Sequence, residues 1–334
     1  MIYFIFYCVY YYLLTYIVGG WCLLMQVLSR RKISSDLPLQ TGKVAIVTGG
    51  GAGIGYHVSK GLVAKNVHVV IGGKCEETGK NAIVEIRKDF PNAKVDFIHL
   101  DLESLRSVRE FAETFLSKNL PLHMLINNAG IMFTPYSCTE DGYECQFQVN
   151  YLSHFYLTQL LLEKLVQSGT PGSWSRIINV SSYMHYVGNP DLDNLSKRLE
   201  HGYMYSSHKA YSDSKLLVVA ASNMLSQQLL DDGSPVSVCS LHPGVVRSNL
   251  WKHVSPVHRL PSKYLLEGWA FLSIEQGAET TLYAALSPEV EGQSGCYYDN
   301  SQKTSSASLS YDEHFQSKLW AKSLLMIENT LSNK

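Results

Sequence analysis

The chain has 334 residues, with 28 Lys+Arg against 29 Asp+Glu and a formal net charge of -1. No basic run exceeds Arg30-Arg31-Lys32, so the charge footprint of a nucleic-acid-binding protein is missing and no nucleic acid partner is expected. Hydrophobic residues at 46% and charged residues at 17% exclude a disordered chain. They supply the core of one α/β domain of roughly 250–300 residues plus one further segment.

That further segment comes first. Residues 1–28 carry no charged side chain, and Ile2 to Leu28 exceeds the ~20 apolar residues that span hydrocarbon. Tyr3, Tyr7, Tyr10, Tyr11, Tyr12 and Tyr16 crowd its first half and Trp21 follows, so a shorter span from Tyr12 to Leu28 is also compatible. Arg30, Arg31 and Lys32 come next, which places the C-terminal bulk in the cytosol. A cleaved signal peptide is the rival reading. It lacks a basic region before the apolar run and an Ala-x-Ala-like site before Arg30. Seven cysteines (8, 22, 75, 138, 145, 239 and 296), odd in number, widely spaced and without Cys-x-x-Cys, argue for reduced thiols rather than a disulfide framework or zinc site.

Residues 29–42 are polar and read as a linker. Apolar β-branched runs then alternate with helical stretches. Strands are predicted at 43–48, 67–71, 94–99, 123–127, 176–180 and 236–241. Helices are predicted at 53–65, 76–88, 103–117, about 140–166, 209–230 and 276–286, with a candidate edge strand at 295–298. This alternation implies right-handed βαβ units: one doubly wound α/β domain with a parallel sheet over 43–300, an N-terminal transmembrane helix and a tail over 301–334.

Thr48-Gly49-Gly50-Gly51-Ala52-Gly53-Ile54-Gly55 joins the first strand to the first helix of the domain. Glycines there let a pyrophosphate approach the backbone and the free N–H groups of the helix start. The second strand ends in Ile71-Gly72-Gly73-Lys74 with no acid to bind ribose hydroxyls. Lys74 can instead meet a 2′-phosphate, which favours NADP(H) over NAD(H). Alternatively it is a solvated lysine.

Tyr211-Ser212-Asp213-Ser214-Lys215 opens an apolar helix, and spacing of four puts Tyr211 and Lys215 on one face. The ammonium should lower the phenol pKa toward working pH, fitting the tyrosine for proton transfer to or from an alcohol oxygen. Ser181 and Ser182 follow the fifth strand, at the carboxyl edge where ligands bind in such sheets. Asn127-Asn128-Ala129-Gly130 ends the fourth strand with small and amide side chains suited to a cofactor wall. Asn150, polar within the long helix, needs a partner if buried; a water shared with Lys215 is one.

Taken together these residues resemble the short-chain dehydrogenase/reductase family over roughly residues 41–300. The resemblance implies Asn150, Ser182, Tyr211 and Lys215 as the catalytic set. It implies cofactor contacts from Thr48, Gly49, Gly53, Ile54, Gly55, Asp101 (to adenine), Asn128, Ala129, Gly130, Tyr211, Lys215, Pro243 and Gly244. Ser248 stands where the family usually has threonine. Stretches such as His185-Tyr186-Val187, His242-Pro243-Gly244-Val245-Val246 and Leu250-Trp251-Lys252-His253-Val254 look like the retinol-dehydrogenase-like branch. So do the anchor and the tail around Gln316–Lys322. This branch resemblance implies a lipophilic alcohol or aldehyde substrate, with polyprenol and dolichol chemistry foremost and retinol or hydroxysteroids as the alternative. It also implies use of both NAD and NADP, an endoplasmic reticulum membrane with a cytosolic catalytic domain, and room for a homodimer. Lipid-droplet and secreted locations rank lower. A catalytically silent nucleotide-binding scaffold is the reading of another class, against which the intact set of four residues speaks.

Two segments depart from a compact pattern. The insert at about 189–203, holding Asp191, Asp193, Lys197, Arg198 and Glu200, either rims the substrate mouth or forms a solvated loop. The apolar run 264–272 either admits a lipid alcohol or packs as core.

Overall fold

Val44–Thr48 (β1) is apolar, mostly β-branched and buried throughout, as a strand covered on both faces requires. It pairs in parallel with His68–Gly73 (β2) on one side and Met124–Asn127 (β4) on the other. The computed structural model describes residues 2–29, 37–195, 205–254 and 270–332, and its sheet runs β3-β2-β1-β4-β5-β6-β7-β8. The remaining strands are Val95–His99 (β3), Ser175–Val180 (β5), Val236–His242 (β6), Cys296–Asp299 (β7) and Gln302–Thr304 (β8). All pairings are parallel except β7 with β8. Strand order reverses between β1 and β4, and such a reversal leaves a crevice beyond the strand ends.

Alternate residues of each strand feed two layers. Ile46, Val70, Leu125, Ile177 and Val238 face one core with Leu105–Ser117 (α4), Ser153–Ser168 (α6) and Ser207–Asp231 (α7). Val47, Val69, Ile71, Ile126 and Ile178 face the other with Gly53–Ala64 (α2), Glu76–Asp89 (α3) and Ile274–Leu286 (α8). A third, smaller cluster lies beyond the strand ends and joins Tyr11 of the N-terminal helix Ile2–Leu28 (α1) to Phe133, Met184 and Tyr211. Residues 5–28 of α1, at mean hydropathy 1.5, are long and apolar enough to cross a membrane. Arg30, Arg31 and Lys32 lie outside the described residues.

Four expectations change. The long helix expected from about residue 140 begins later, at Cys145–Phe147 (α5), because Glu144 caps it, accepting from Gln146 N (3.0 Å) and Phe147 N (2.7 Å). It then passes through a π-type turn at Gln148–Leu152 before α6. The candidate edge strand is interior: β7 pairs on both sides, and β8, polar and fully exposed, is the edge. The tail over 301–334 is no tail. It supplies β8 and the helix Glu313–Ser332 (α9), whose Phe315, Leu319 and Ile327 enter the first core. The first part of the insert is not a solvated loop throughout. Leu192 and Leu195 are buried, and Asp193 pairs with Lys322 (2.6 Å) and Lys318 (3.2 Å) of α9. Lys197, Arg198 and Glu200 lie outside the described residues, as do residues 264–269 of the apolar run.

Leu319 is fully buried. Leu319→Ala is expected to cost ~2–5 kcal/mol in chemical unfolding, the usual range for a core leucine. A loss below about 0.5 kcal/mol would mean that α9 merely rests on the surface.

Candidate active site

The first turn of the site is steric. A Cβ on Gly55 would stand 2.3 Å from Gly49 O and 2.5 Å from Asn128 Nδ2, so only glycine lets α2 begin this close to the β1 and β4 loops. Ala52, the residue before α2, makes no side-chain cap. The first N–H groups of α2, among them those of Gly53, Ile54 and Gly55, therefore have no side-chain acceptor.

Thr48, at the end of β1, is buried and joins three loops. Its oxygen accepts from Asn128 N (2.9 Å) and Ala129 N (3.0 Å), and Asn128 Nδ2 donates to Thr48 O (2.9 Å). The hydroxyl proton then goes to His154 Nε2 at 2.9 Å, closer than Ile126 O at 3.5 Å. That fixes the His154 tautomer: Nδ1 carries the proton and donates to Asn150 O at 3.2 Å. Burial holds His154 neutral, its pKa pushed down to about 4. His154 was not anticipated from sequence. Its one signal was a histidine one helical turn beyond Asn150 on a buried face.

Asn150 sits within the π-type turn, fully buried. Its carboxamide clasps Ile131 both ways: Oδ1 accepts from Ile131 N (2.9 Å) and Nδ2 donates to Ile131 O (3.0 Å). The second Nδ2 hydrogen goes to Ser214 Oγ (3.0 Å). Both Nδ2 hydrogens of Asn150 are thus engaged by protein. The clasp sets the loop after β4, bringing Gly130 to the end of Lys215: a Cβ there would lie 3.5 Å from Nζ and 3.2 Å from Asn150 Oδ1.

Tyr211 and Lys215 share the inner face of α7, both buried, with Lys215 Nζ 5.8 Å from the centre of the phenol ring. Lys215 donates to Val180 O (2.9 Å) at the end of β5. Burial lowers its pKa to about 8. The Tyr211 phenol moves opposite to expectation. Burial pushes it up to about 12, and the hydrogen bond with the Ser182 hydroxyl pulls the other way. At this separation the ammonium does not outweigh the loss of solvent. The two serines divide: Ser181 Oγ donates to Lys215 O (2.9 Å) and steadies α7, whereas Ser182 faces the phenol.

Beyond β6, Pro243 and Gly244 begin a turn, and Ser248 caps the next one by accepting from Leu250 N (3.4 Å). Asp101 follows β3 and accepts from Glu103 N (2.9 Å). Lys74 follows β2, mostly exposed, between Glu103 (2.7 Å) and Asp101 (3.0 Å), and these bonds raise its pKa. The fold therefore gathers the predicted residues at the carboxyl edge of one sheet.

The chain belongs to the short-chain dehydrogenase family, whose pattern matches residues 43–194. It is an NAD(P)-dependent oxidoreductase acting on CH–OH groups. It is 45% identical to polyprenol dehydrogenase of Danio rerio over 323 residues, 96% of this chain and 97% of that one. It is 38% identical to retinol dehydrogenase 13 of Homo sapiens over 290 residues, 86% of this chain and 85% of that one. A crystal structure of an uncharacterised Mycobacterium paratuberculosis protein aligns with a TM-score of 0.71 at 28% identity, covering 90% and 98% of the two chains. The glycine loop fits the nucleotide: Gly55 leaves no room for a side chain, and the uncapped start of α2 presents N–H groups to a phosphate.

The Lys215 pKa carries a stability consequence. Between pH 8 and the ordinary lysine value of 10.5 the unfolded chain holds a proton that the folded chain has released, so stability rises with pH there. Above about 10 the raised Tyr211 pKa works against it. Lys215→Met should flatten the rise in melting temperature between pH 8 and 10, removing a burial cost of roughly 3 kcal/mol present below pH 8. Equal slopes in the two proteins, without added nucleotide, would refute a depressed lysine.

Proposed function

We propose that this protein interconverts lipophilic alcohols and their carbonyl compounds at a membrane. Long-chain prenols (polyprenol and polyprenal, dolichal and dolichol) are its first substrates, NADP(H) its preferred nucleotide and the endoplasmic reticulum its site. One observation carries the substrate class: Tyr211 is embedded in an apolar cluster to which the membrane-type helix α1 contributes Tyr11. A polar substrate would have to displace water-excluding aromatic surface from the proton donor, whereas a hydrocarbon chain fits beside it. Similarity to polyprenol dehydrogenases supports the prenol reading, and similarity to retinol dehydrogenase 13 supports retinoids as the second.

When bound, the nicotinamide supplies or takes the hydride. The chain's residues handle the proton. In reduction, the Tyr211 phenol donates its proton to the carbonyl oxygen; in oxidation, the Tyr211 phenolate takes the proton of the alcohol. The Ser182 hydroxyl, already bonded to that phenol, orients the same oxygen. Lys215 offsets negative charge on the phenol as its proton leaves. A phenol resting at about 12 needs this help, and positioned proton transfer of this kind contributes ~10²–10⁴ in rate. Asn150, clasped to Ile131, keeps the cofactor wall 128–130 in place.

Turnover of prenals, retinal and ketosteroids, compared in microsomes carrying the protein with NADPH or NADH, tests the proposal. Prenals should lead, and Tyr211→Phe should abolish turnover while NADPH binding persists. Higher kcat/KM on ketosteroids would overturn the prenol reading, and surviving turnover would overturn the proton donor. The nucleotide preference rests on Lys74, the cation after β2. Without it, Asp101 and Glu103 would face a 2′-phosphate unscreened. Lys74→Ala should weaken NADPH about tenfold and NADH less than threefold by fluorescence titration, as expected for one charge-assisted contact. An unchanged ratio would assign Lys74 to solvent.

A further inference from the structure

α1 has two faces. Phe6, Tyr10, Leu13, Ile17, Trp21, Leu24 and Leu28, at spacings of three and four, are exposed and apolar. The opposite face, from Tyr7 through Tyr11, Thr15 and Cys22 to Gln26, lies against the domain at the open edge of the sheet. A tether needs no such face, and two polar contacts on it are specific.

The first is at His242, the last residue of β6. Its Nδ1 accepts from Tyr183 N (3.3 Å), so Nε2 carries the proton and points at Cys22 Sγ (3.4 Å). The second is at Gln26, the sole carboxamide of a helix without charges. Its Oε1 accepts from Val245 N (2.7 Å), and its Nε2 donates to Ala270 O (2.7 Å) and more weakly to Val245 O (3.4 Å). Val245 and Ala270 lie on the two limbs of the loop after β6, which also meet where Leu272 N donates to Val245 O (2.9 Å) and Arg247 N to Leu272 O (3.0 Å). Gln26 thus bridges the neck of that loop. Gly244, at φ 89°, makes the approach possible: a Cβ there would stand 2.9 Å from Gln26 Oε1 and 2.5 Å from Leu272 Cδ1. His242 and Val245 flank Pro243-Gly244, the turn to which the family resemblance assigns a cofactor contact. Further along α1, Tyr7, Tyr11, Leu14 and Val18 pack with Phe133 and Met184 in front of Tyr211.

We propose that α1 is a wall of the active site as well as a membrane anchor: Gln26 locks it across the neck of the loop after β6, and its inner face around Tyr11 lines the channel for the hydrocarbon chain of the alcohol. Gln26 is a positioning residue, acting through the Pro243-Gly244 turn. The lining part rests on the lipophilic-substrate reading; the lock does not.

The test uses the full-length, membrane-bound protein. Gln26→Leu keeps the bulk and raises the apolarity of α1 while removing its bonds. It should weaken NADPH about tenfold in fluorescence titration, the loss expected for about one net hydrogen bond at the neck. Retention in carbonate-washed membranes should be unchanged. Gln26→Glu, which keeps the acceptor for Val245 N–H, should recover part of the loss. Tyr11→Ala should raise KM for a long-chain prenal at least fivefold more than for a short allylic aldehyde. Unchanged NADPH affinity in folded Gln26→Leu, checked by its melting temperature, would reduce α1 to a tether. A Gln26 effect without chain-length dependence at Tyr11 would uphold the lock and overturn the lipid lining. A Gln26→Leu protein that does not fold passes the decision to Gln26→Glu, whose unaltered affinity would equally overturn the lock.

Discussion

A buried ammonium is the constraint around which the site is arranged. Lys215 lies in a protein interior that opposes its charge, at the point where α7 crosses the end of β5. One carbonyl, that of Val180, accepts from it, and the loop held by Asn150 closes over it from the other side. An ion so placed is most valuable when a neighbour turns negative, and the neighbour is the phenol of Tyr211. Resting pKa values of about 8 and about 12 describe an amine short of solvent and a phenol short of charge. Proton loss from the phenol relieves both conditions at once. His154, in its single tautomer, is held neutral nearby.

What sequence made legible was local. β1 could be read from the four apolar residues Val44–Val47, the phosphate loop from glycines between a strand and a helix, and the Tyr211–Lys215 pair from a spacing of four. Each follows from backbone geometry within a few residues. What escaped was tertiary. β8 is Gln-Lys-Thr, with no strand signal beyond its pairing with β7. α9 is apolar only along the stripe Phe315–Leu319–Ile327, and its acidic partner Asp193 stands more than a hundred positions earlier. His154 and Gln26 gain their meaning from loops distant in sequence. The sign of the Tyr211 shift was missed because spacing reports a neighbour's charge and says nothing of lost solvent.

The N-terminal helix couples two kinds of solvent. One face offers an apolar stripe suited to hydrocarbon, and the other is hydrogen-bonded into the loops of a nucleotide-binding domain. In the proposed arrangement, membrane seating and cofactor geometry share one element, and a lipid alcohol need not pass through water to reach the phenol.

The π-type turn at Gln148–Leu152 has an evolutionary corollary. One surplus residue in a helical turn rotates everything after it by about 100° relative to an uninterrupted α-helix. Phe155 and Leu157 can therefore serve the core while Asn150 points into the crevice. Point substitution alone does not produce such a phase shift; it takes a gain or loss of chain length. A single-codon deletion here would leave nearly every side chain chemically intact and still turn the Ile131 clasp out of register. The site is thus guarded by residue count as much as by residue identity.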